Sequence, residues 1–203
     1  MERELEKKGY DLILADPPWH YNSRKAGGEV KNKTKFGGGA EKWYPLMKDK
    51  EILGMAPLIQ RISNTPASLL LWATMPRLDF ALEVMAAWGF KYKTTAFTWV
   101  KMTNNMERPR YGPGYYTASN AEIVLLGTKG KPMRPETAMV PSVILSPRQE
   151  HSRKPEEVHQ RIELMYPEAR KVELFARRAD RPGWDYIGNE LPNNVVSNVG
   201  ANE

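Results

Sequence analysis

Tyr10-Asp11-Leu12-Ile13-Leu14-Ala15-Asp16-Pro17-Pro18-Trp19 is the stretch on which the reading of this chain turns. Residues 10–15 form a short apolar run and predict a buried strand. Asp16 then stands at the strand's carboxyl end. The residue before a proline is pushed to extended backbone, and each proline lacks an N–H. The carbonyls of this turn are therefore expected to lack their usual local donor and to face a ligand. Asp16 adds a carboxylate acceptor and Trp19 a stacking surface. An exocyclic amino group on a nucleobase offers two N–H donors beside a π face, and this set of groups matches it. Asp-Pro and Pro-Pro alone are ordinary turn punctuation. The strand in front and the tryptophan behind make the segment a candidate site.

Outward from this strand the pattern alternates. Residues 20–47 are polar, carry Gly37-Gly38-Gly39, and read as a mobile loop covering the site. Residues 51–62 have helical spacing, with Pro57 placed to kink or shorten the helix. Residues 67–73 read as a buried strand. Residues 77–88 read as a helix with Leu78, Ala81, Leu82, Met85 and Trp88 on one face, ended by Gly89. Residues 92–100 read as a strand, 101–119 as a second loop, and 121–126 as a strand closed by Gly127-Thr128-Lys129-Gly130. Residues 131–141 read as irregular and 143–145 as a short extended segment. Pro155 is placed to open a helix that runs to about Tyr166, with Glu156 and Glu157 at the positive end of its dipole. Residues 171–175 and 184–187 read as further strands, and 192–203 as a flexible tail. The expectation is one α/β domain over 1–191, a three-layer sandwich with a mostly parallel sheet. Ligands of such sheets bind beyond the carboxyl ends of the strands. Asp16 and Arg177 both lie at such ends and are expected to converge.

Three ordered motifs carry a resemblance. They are Asp16-Pro17-Pro18-Trp19, then His151-Ser152-Arg153-Lys154-Pro155, then Glu173-Leu174-Phe175-Ala176-Arg177 followed by Gly183-Trp184 and Gly188-Asn189-Glu190. Together they resemble the family of the seventy-kilodalton mRNA adenosine methyltransferase subunit and its compact bacterial and phage relatives. The resemblance implies a Rossmann-like, circularly permuted fold that binds S-adenosylmethionine, with the catalytic motif first and the cofactor motif last. It implies Asp16, Pro17, Pro18 and Trp19 as the catalytic set. It implies Asp16, Lys154, Phe175, Arg177, Asp180, Asn189 and Glu190 as cofactor contacts, with Lys154 toward the methionine end and Arg177 and Asp180 on the ribose. Asp180 and Glu190 stand where some relatives carry amides. Longer relatives also have an upstream acidic residue on the cofactor adenine, for which this chain has little sequence. Phe175-Ala176-Arg177 replaces the glycine-rich turn, and neither a G-x-G-x-x-G nor a P-loop occurs.

Composition narrows the chemistry. The chain has 203 residues and no cysteine, which removes disulfides, thiolate metal sites and the thiol nucleophile needed to methylate a cytosine ring carbon. His20, His151 and His159 lack metal-ligand spacing, so no metal is expected. The formal net charge of +6 favours a polyanionic partner. Arg24, Lys25, Lys31, Lys33 and Lys35 follow the signature. Lys91, Lys93, Lys101, Arg108 and Arg110 surround the second loop, interleaved with Tyr92, Trp99, Tyr111, Tyr115 and Tyr116. Basic and stacking side chains around a site suit a flipped or single-stranded nucleotide. Trp19, His20, Tyr21, Lys25, Asn120, Glu122, Arg108 and Arg110 are the expected substrate contacts, whereas Trp99 and His159 read as structural. The expectation is N6 methylation of adenine in DNA, with RNA as the nearer alternative and a catalytically silent nucleic-acid-binding partner as the non-enzyme one. Methylation of a protein side-chain amide is disfavoured by the tryptophan and the basic loops. No apolar run spans a bilayer and no signal peptide is evident, so a cytoplasmic monomer or homodimer is expected.

Overall fold

The computed structural model describes residues 8–20, 47–112, 114, 116–149, 153–191 and 195–197. Its strands are β1 (Tyr10–Ala15), β2 (Ser63–Ala73), β3 (Lys91–Met102), β4 (Ala121–Lys129), β5 (Val143–Pro147), β6 (Lys171–Leu174), β7 (Trp184–Ile187) and β8 (Val195–Ser197). They form one sheet in the order β5-β3-β4-β2-β1-β6-β7-β8. Four of the seven pairings are parallel: β1 with β2, β1 with β6, β6 with β7, and β3 with β5. The β2–β4, β3–β4 and β7–β8 pairings are antiparallel.

Alternation along β1 sets up the layers. Tyr10, Ile13 and Ala15 enter one apolar cluster, and Leu12 and Leu14 enter the other. A strand buried on both faces must be covered on both. On the first face lie α1 (Asp49–Gly54), α2 (Ala56–Ile62) and α3 (Leu78–Ala87), through Ile52, Ile59, Phe80, Val84 and Trp88. On the second lies α4 (Glu157–Met165), through Val158 and Ile162. The result is the three-layer α/β sandwich expected. Burying one such aliphatic side chain contributes about 1.5–3 kcal/mol.

Several boundaries differ from the sequence reading, each for a local reason. The helix expected over 51–62 is two helices, because Pro57 has no N–H and sits in the first turn of α2. The strand expected to end at Leu126 continues through Gly127. There a Cβ would lie 2.6 Å from Met85 Sδ, so the glycine makes room for α3 rather than ending the strand. Pro155 precedes its helix instead of opening it, since α4 starts at Glu157. Val195–Ser197, in the segment expected to be a tail, pairs with β7. Among the described residues no helix is long and apolar enough to cross a membrane.

Sheet direction decides where the site lies. Asp16 follows β1, Phe175 follows β6, and Gly188 follows β7, all at one edge of the sheet. Because β4 is antiparallel to β2, its amino end, with Asn120 and Glu122, reaches that same edge. The carboxyl end of β3, with Lys101, does so too.

Candidate active site

At this edge a cavity of about 420 Å³ is lined by residues that include Asp16, Lys154, Phe175, Arg177, Asp180 and Glu190. The convergence expected of Asp16 and Arg177 is therefore present. Phe175 adopts φ 62°, a left-handed conformation that a side chain rarely takes. The turn closes tightly: Ala176 N–H donates to the Ile187 carbonyl at 3.0 Å, and a Cβ on Gly188 would fall 1.9 Å from the Ala176 carbonyl oxygen. Strained backbone held by such close packing is typical of ligand-binding turns.

Asp16 is the acid at the mouth of this cavity, with its side chain 31% exposed. Lys154 Nζ donates to its Oδ2 at 2.6 Å. The same ammonium lies 3.4 Å from Glu122 Oε2 and 5.2 Å from the centre of the Trp72 ring. Burial pushes the Asp16 carboxyl above the ordinary range; Lys154 and Arg177 oppose that rise, while Glu122 adds to it. For Glu122, burial pulls upward too, but the ammoniums of Lys154 and Lys101 outweigh it and hold the carboxyl below its ordinary range. Glu122, the second residue of β4, is only 14% exposed, so this expected substrate contact is a buried, paired carboxylate.

The proline turn departs from expectation. Pro17's carbonyl accepts the Trp19 N–H at 2.8 Å, and Pro18's accepts the Met47 N–H at 3.2 Å. Pro17's carbonyl therefore has a local donor after all, whereas Pro18's is met only by a distant segment, and each keeps one further lone pair. Trp19 is 4% exposed. Its Nε1 donates to the Trp72 carbonyl at 3.2 Å, and its ring meets Phe80 edge to face at 5.9 Å. It is a core anchor for the turn rather than an open stacking face. The apolar ring is large enough to bury, and burial wins.

The remaining cofactor candidates hold exposed partners. Arg177 Nε lies 3.3 Å from Glu190 Oε1, and Arg178 lies 3.2 Å from Asp180 Oδ2. Exposed pairs of this kind contribute little to stability. Asn189 is exposed beside Glu190. His159, read as structural, lines the cavity, 2.9 Å from Glu173 Oε2 and against Trp184. Its helical position hides this role, because the sequence does not say which face of α4 meets the end of β6.

The substrate candidates divide. His20 is half-buried after Trp19, and Asn120 accepts the Lys101 N–H at its carbonyl at 2.8 Å. Arg108 and Arg110 are on a ribbon that extends β3 and β4 past the sheet edge, through the Met102–Pro109 and Gly112–Ser119 bridges, and both are exposed. Arg108 lies over the Tyr111 ring at 5.9 Å. Tyr21, Lys25, the other lysines of the first loop, Tyr115 and His151 lie outside the described residues.

An acid after the central strand, a lysine on that acid, and a strained cofactor-type turn after the neighbouring strand are what the three motifs encode. The sequence profile of MT-A70 matches residues 10–190, nearly the whole chain. The chain belongs to the MT-A70 family. A Type II methyltransferase, M.MunI of Mycoplasma sp, is 36% identical over 202 residues, covering 95% of this chain and 82% of that protein. An MT-A70-like N(6)-adenosine-methyltransferase of Arabidopsis thaliana is 31% identical over 186 residues, covering 90% of this chain and 24% of that protein. The Homo sapiens N(6)-adenosine-methyltransferase catalytic subunit METTL3 is 28% identical over 186 residues and is covered to 28% of its length. The chain thus spans most of the Mycoplasma relative and about a quarter of the two eukaryotic ones.

Proposed function

We propose that this MT-A70 chain transfers the methyl group of S-adenosylmethionine to the exocyclic N6 amino group of adenine in DNA. The observation that carries this reading is the Asp16 carboxylate, held by Lys154 at the mouth of the cavity that Arg177 and Glu190 also line. DNA is favoured because the match to the Type II methyltransferase runs along most of both chains, whereas the N(6)-adenosine-methyltransferases are matched over about a quarter of their length. Those relatives make RNA adenosine the second reading. A silent binding partner is disfavoured, because the acid is intact and pre-positioned.

The cavity fits the cofactor chemically. Its volume of about 420 Å³ falls in the small-ligand range of roughly 300–1,000 Å³. S-adenosylmethionine carries a carboxylate, an ammonium and ribose hydroxyls. Lys154 and Arg177 suit the carboxylate, Asp16 the ammonium, and Asp180, Asn189 and Glu190 the hydroxyls and adenosine. Phe175 offers an apolar wall. When bound, the cofactor supplies an electrophilic methyl group.

The chain's own residues prepare the nucleophile. The adenine amino nitrogen is weak because its lone pair is delocalised into the ring. Asp16 Oδ2 holds Lys154, which leaves Oδ1 to accept one amino hydrogen. The second lone pair of the Pro17 carbonyl takes the other. Two acceptors on one nitrogen favour a tetrahedral geometry and free the lone pair for direct displacement. Displacement at the methyl group that a bound cofactor would supply would leave the new N–C bond in place of the S–C bond and release one amino proton, which Asp16 is placed to take. The raised affinity of Asp16 for a proton suits that last step. No covalent enzyme intermediate is needed, so positioning and electrostatics carry the rate. In a duplex the base must first leave the stack, at a cost of a few kcal/mol. Mass-spectrometric base analysis of DNA and RNA from cells expressing the chain tests the reading. N6-methyladenine in DNA is expected. Methyl groups confined to RNA would move the substrate to the second reading, and none in either would reject the activity.

A further inference from the structure

By sequence Lys101 belongs with the basic loop, yet it is the last residue but one of β3 and is 23% exposed. In the β3–β4 ladder Trp99 pairs with Glu122. Lys101, two residues on, therefore projects from the same face as Glu122. Its Nζ donates to Glu122 Oε1 at 2.5 Å and sits 5.2 Å from the Trp99 ring centre. Trp99 in turn meets Trp72, the floor under Lys154, at 6.3 Å. Glu122 thus gives one oxygen to each lysine. Four charges of alternating sign, Lys101, Glu122, Lys154 and Asp16, run along the sheet edge over two tryptophans.

We propose that Lys101 is a positioning residue for Asp16, acting through Glu122 and Lys154; the role of Asp16 itself rests on the function proposed above. Glu122 is buried between two ammonium groups. While Lys101 shares its charge, Lys154 stays nearer Asp16, at 2.6 Å against 3.4 Å to Glu122. Without Lys101, Glu122 would hold only Lys154. It would draw that ammonium toward itself and place an uncompensated negative charge beside Asp16. Both effects favour a proton on Asp16 and disfavour the acceptor that the amino group needs. The other charges facing Asp16 are Lys154 from the segment before α4, Glu122 from β4 and Arg177 from the turn after β6. Arg177 offsets the loss only in part, because its Nε lies 3.3 Å from Glu190 Oε1 and its pull on Asp16 is weaker than that of Lys154.

Lys101→Met keeps the stem without the charge, and Lys101→Arg keeps the charge. The first measurement is a carboxyl carbon NMR titration of Asp16 in the free protein. The second is the pH profile of single-turnover methyl transfer. In Lys101→Met both the Asp16 titration and the acid limb should move up by about one pH unit, the effect of one charge roughly 10 Å away at an effective dielectric near 20. At pH values on the acid limb the methyl-transfer rate should fall about tenfold, and above the limb it should change little, with KM for DNA within twofold. Lys101→Arg should restore both. A raised KM and a flatter salt dependence with an unmoved acid limb would make Lys101 a phosphate-binding residue and overturn the proposal. Lower thermal stability with an unmoved Asp16 titration would make it a structural brace, and would overturn the proposal equally. If the wild-type protein transfers no methyl group, the proposed function fails, and the titration still decides the placement of Lys101.

Discussion

Replacing Asp16 with asparagine separates its chemical role from its structural one. The substitution keeps the shape and removes the charge. One amide oxygen remains, but it is a weaker acceptor and takes no proton. The loss should be at least two orders of magnitude in single-turnover rate, roughly 3 kcal/mol of transition-state stabilisation. Stability should move the other way. The Asp16 carboxyl titrates higher in the fold than in the unfolded chain. Such a group contributes stability below its unfolded value and loses that contribution as pH rises through its folded one. At neutral pH the carboxylate is therefore a cost that asparagine does not carry. Removing one partner of a buried ion pair normally strands the other, at about 3–5 kcal/mol. Here Lys154 keeps Glu122 at 3.4 Å, so that penalty is avoided. Asp16→Asn should melt at or above the wild-type temperature at pH 7, with the difference closing toward pH 4. Scanning calorimetry at several pH values and rapid-quench methyl transfer measure the two halves. A single-turnover rate near wild type would place the catalytic centre elsewhere. A Tm drop of about 6 °C or more, equivalent to roughly 2 kcal/mol or more at this size, would make Asp16 a structural residue.

Trp19→Ala should cost about 3–5 kcal/mol in chemical denaturation, because it empties a buried site, whereas Trp19→Phe should keep most stability and turnover. Calorimetry in chelator should detect S-adenosylmethionine binding at about micromolar affinity, roughly −8 kcal/mol, and Arg177→Ala should weaken it about tenfold. Binding that requires an added divalent ion would contradict the cofactor site. Replacing Arg108 and Arg110 together by alanine should weaken DNA binding and lower the salt slope by about 0.9 for each phosphate that an arginine neutralises. Cofactor affinity should not change, and an unmoved slope would remove the ribbon from the DNA-binding surface.

What can be read from the sequence follows from what each pattern encodes. The apolar run at 10–15 fixes a strand buried on both faces, and β1 is that strand. Asp16, Lys154 and Arg177 are legible because each lies in a motif whose order the fold preserves. Glu122 and Lys101 are harder to read because their roles depend on strand direction. A run of β-branched and aromatic residues announces a strand but does not say that β4 runs against β2, and only that reversal brings the start of β4 to the ligand edge. Trp19 misleads in a different way. Its type suits both a stacking surface and a core anchor, and the choice rests on Phe80 and the Trp72 carbonyl, which come from distant segments. The glycine at 127 resembles punctuation because the side chains it accommodates, Met85 on α3 and Phe90 in the turn before β3, come from another part of the chain.

The mixed sheet also explains how Asp16, the proposed proton acceptor, can be held ready at modest cost. An all-parallel sheet would bring only carboxyl ends to this edge. Here the antiparallel pair β3–β4 adds one lysine and one glutamate beside the acid and lysine already there. The four charges sum to zero and alternate, so each buried group meets the opposite sign and none is left unpaired. Trp72 and Trp99 lie under the two ammoniums and exclude water without adding a competing acceptor. Asp16 stays the more exposed acid of the row, at 31% against 14% for Glu122. Burial raises the proton affinity of Asp16, while two lysines hold that of Glu122 down. Two carboxyls in one network are thus driven apart: Glu122 is biased toward its anion, and Asp16 toward taking a proton. Acid–base division of labour between neighbouring carboxyls is set by environment in this way. The strand that reverses direction is what supplies the difference.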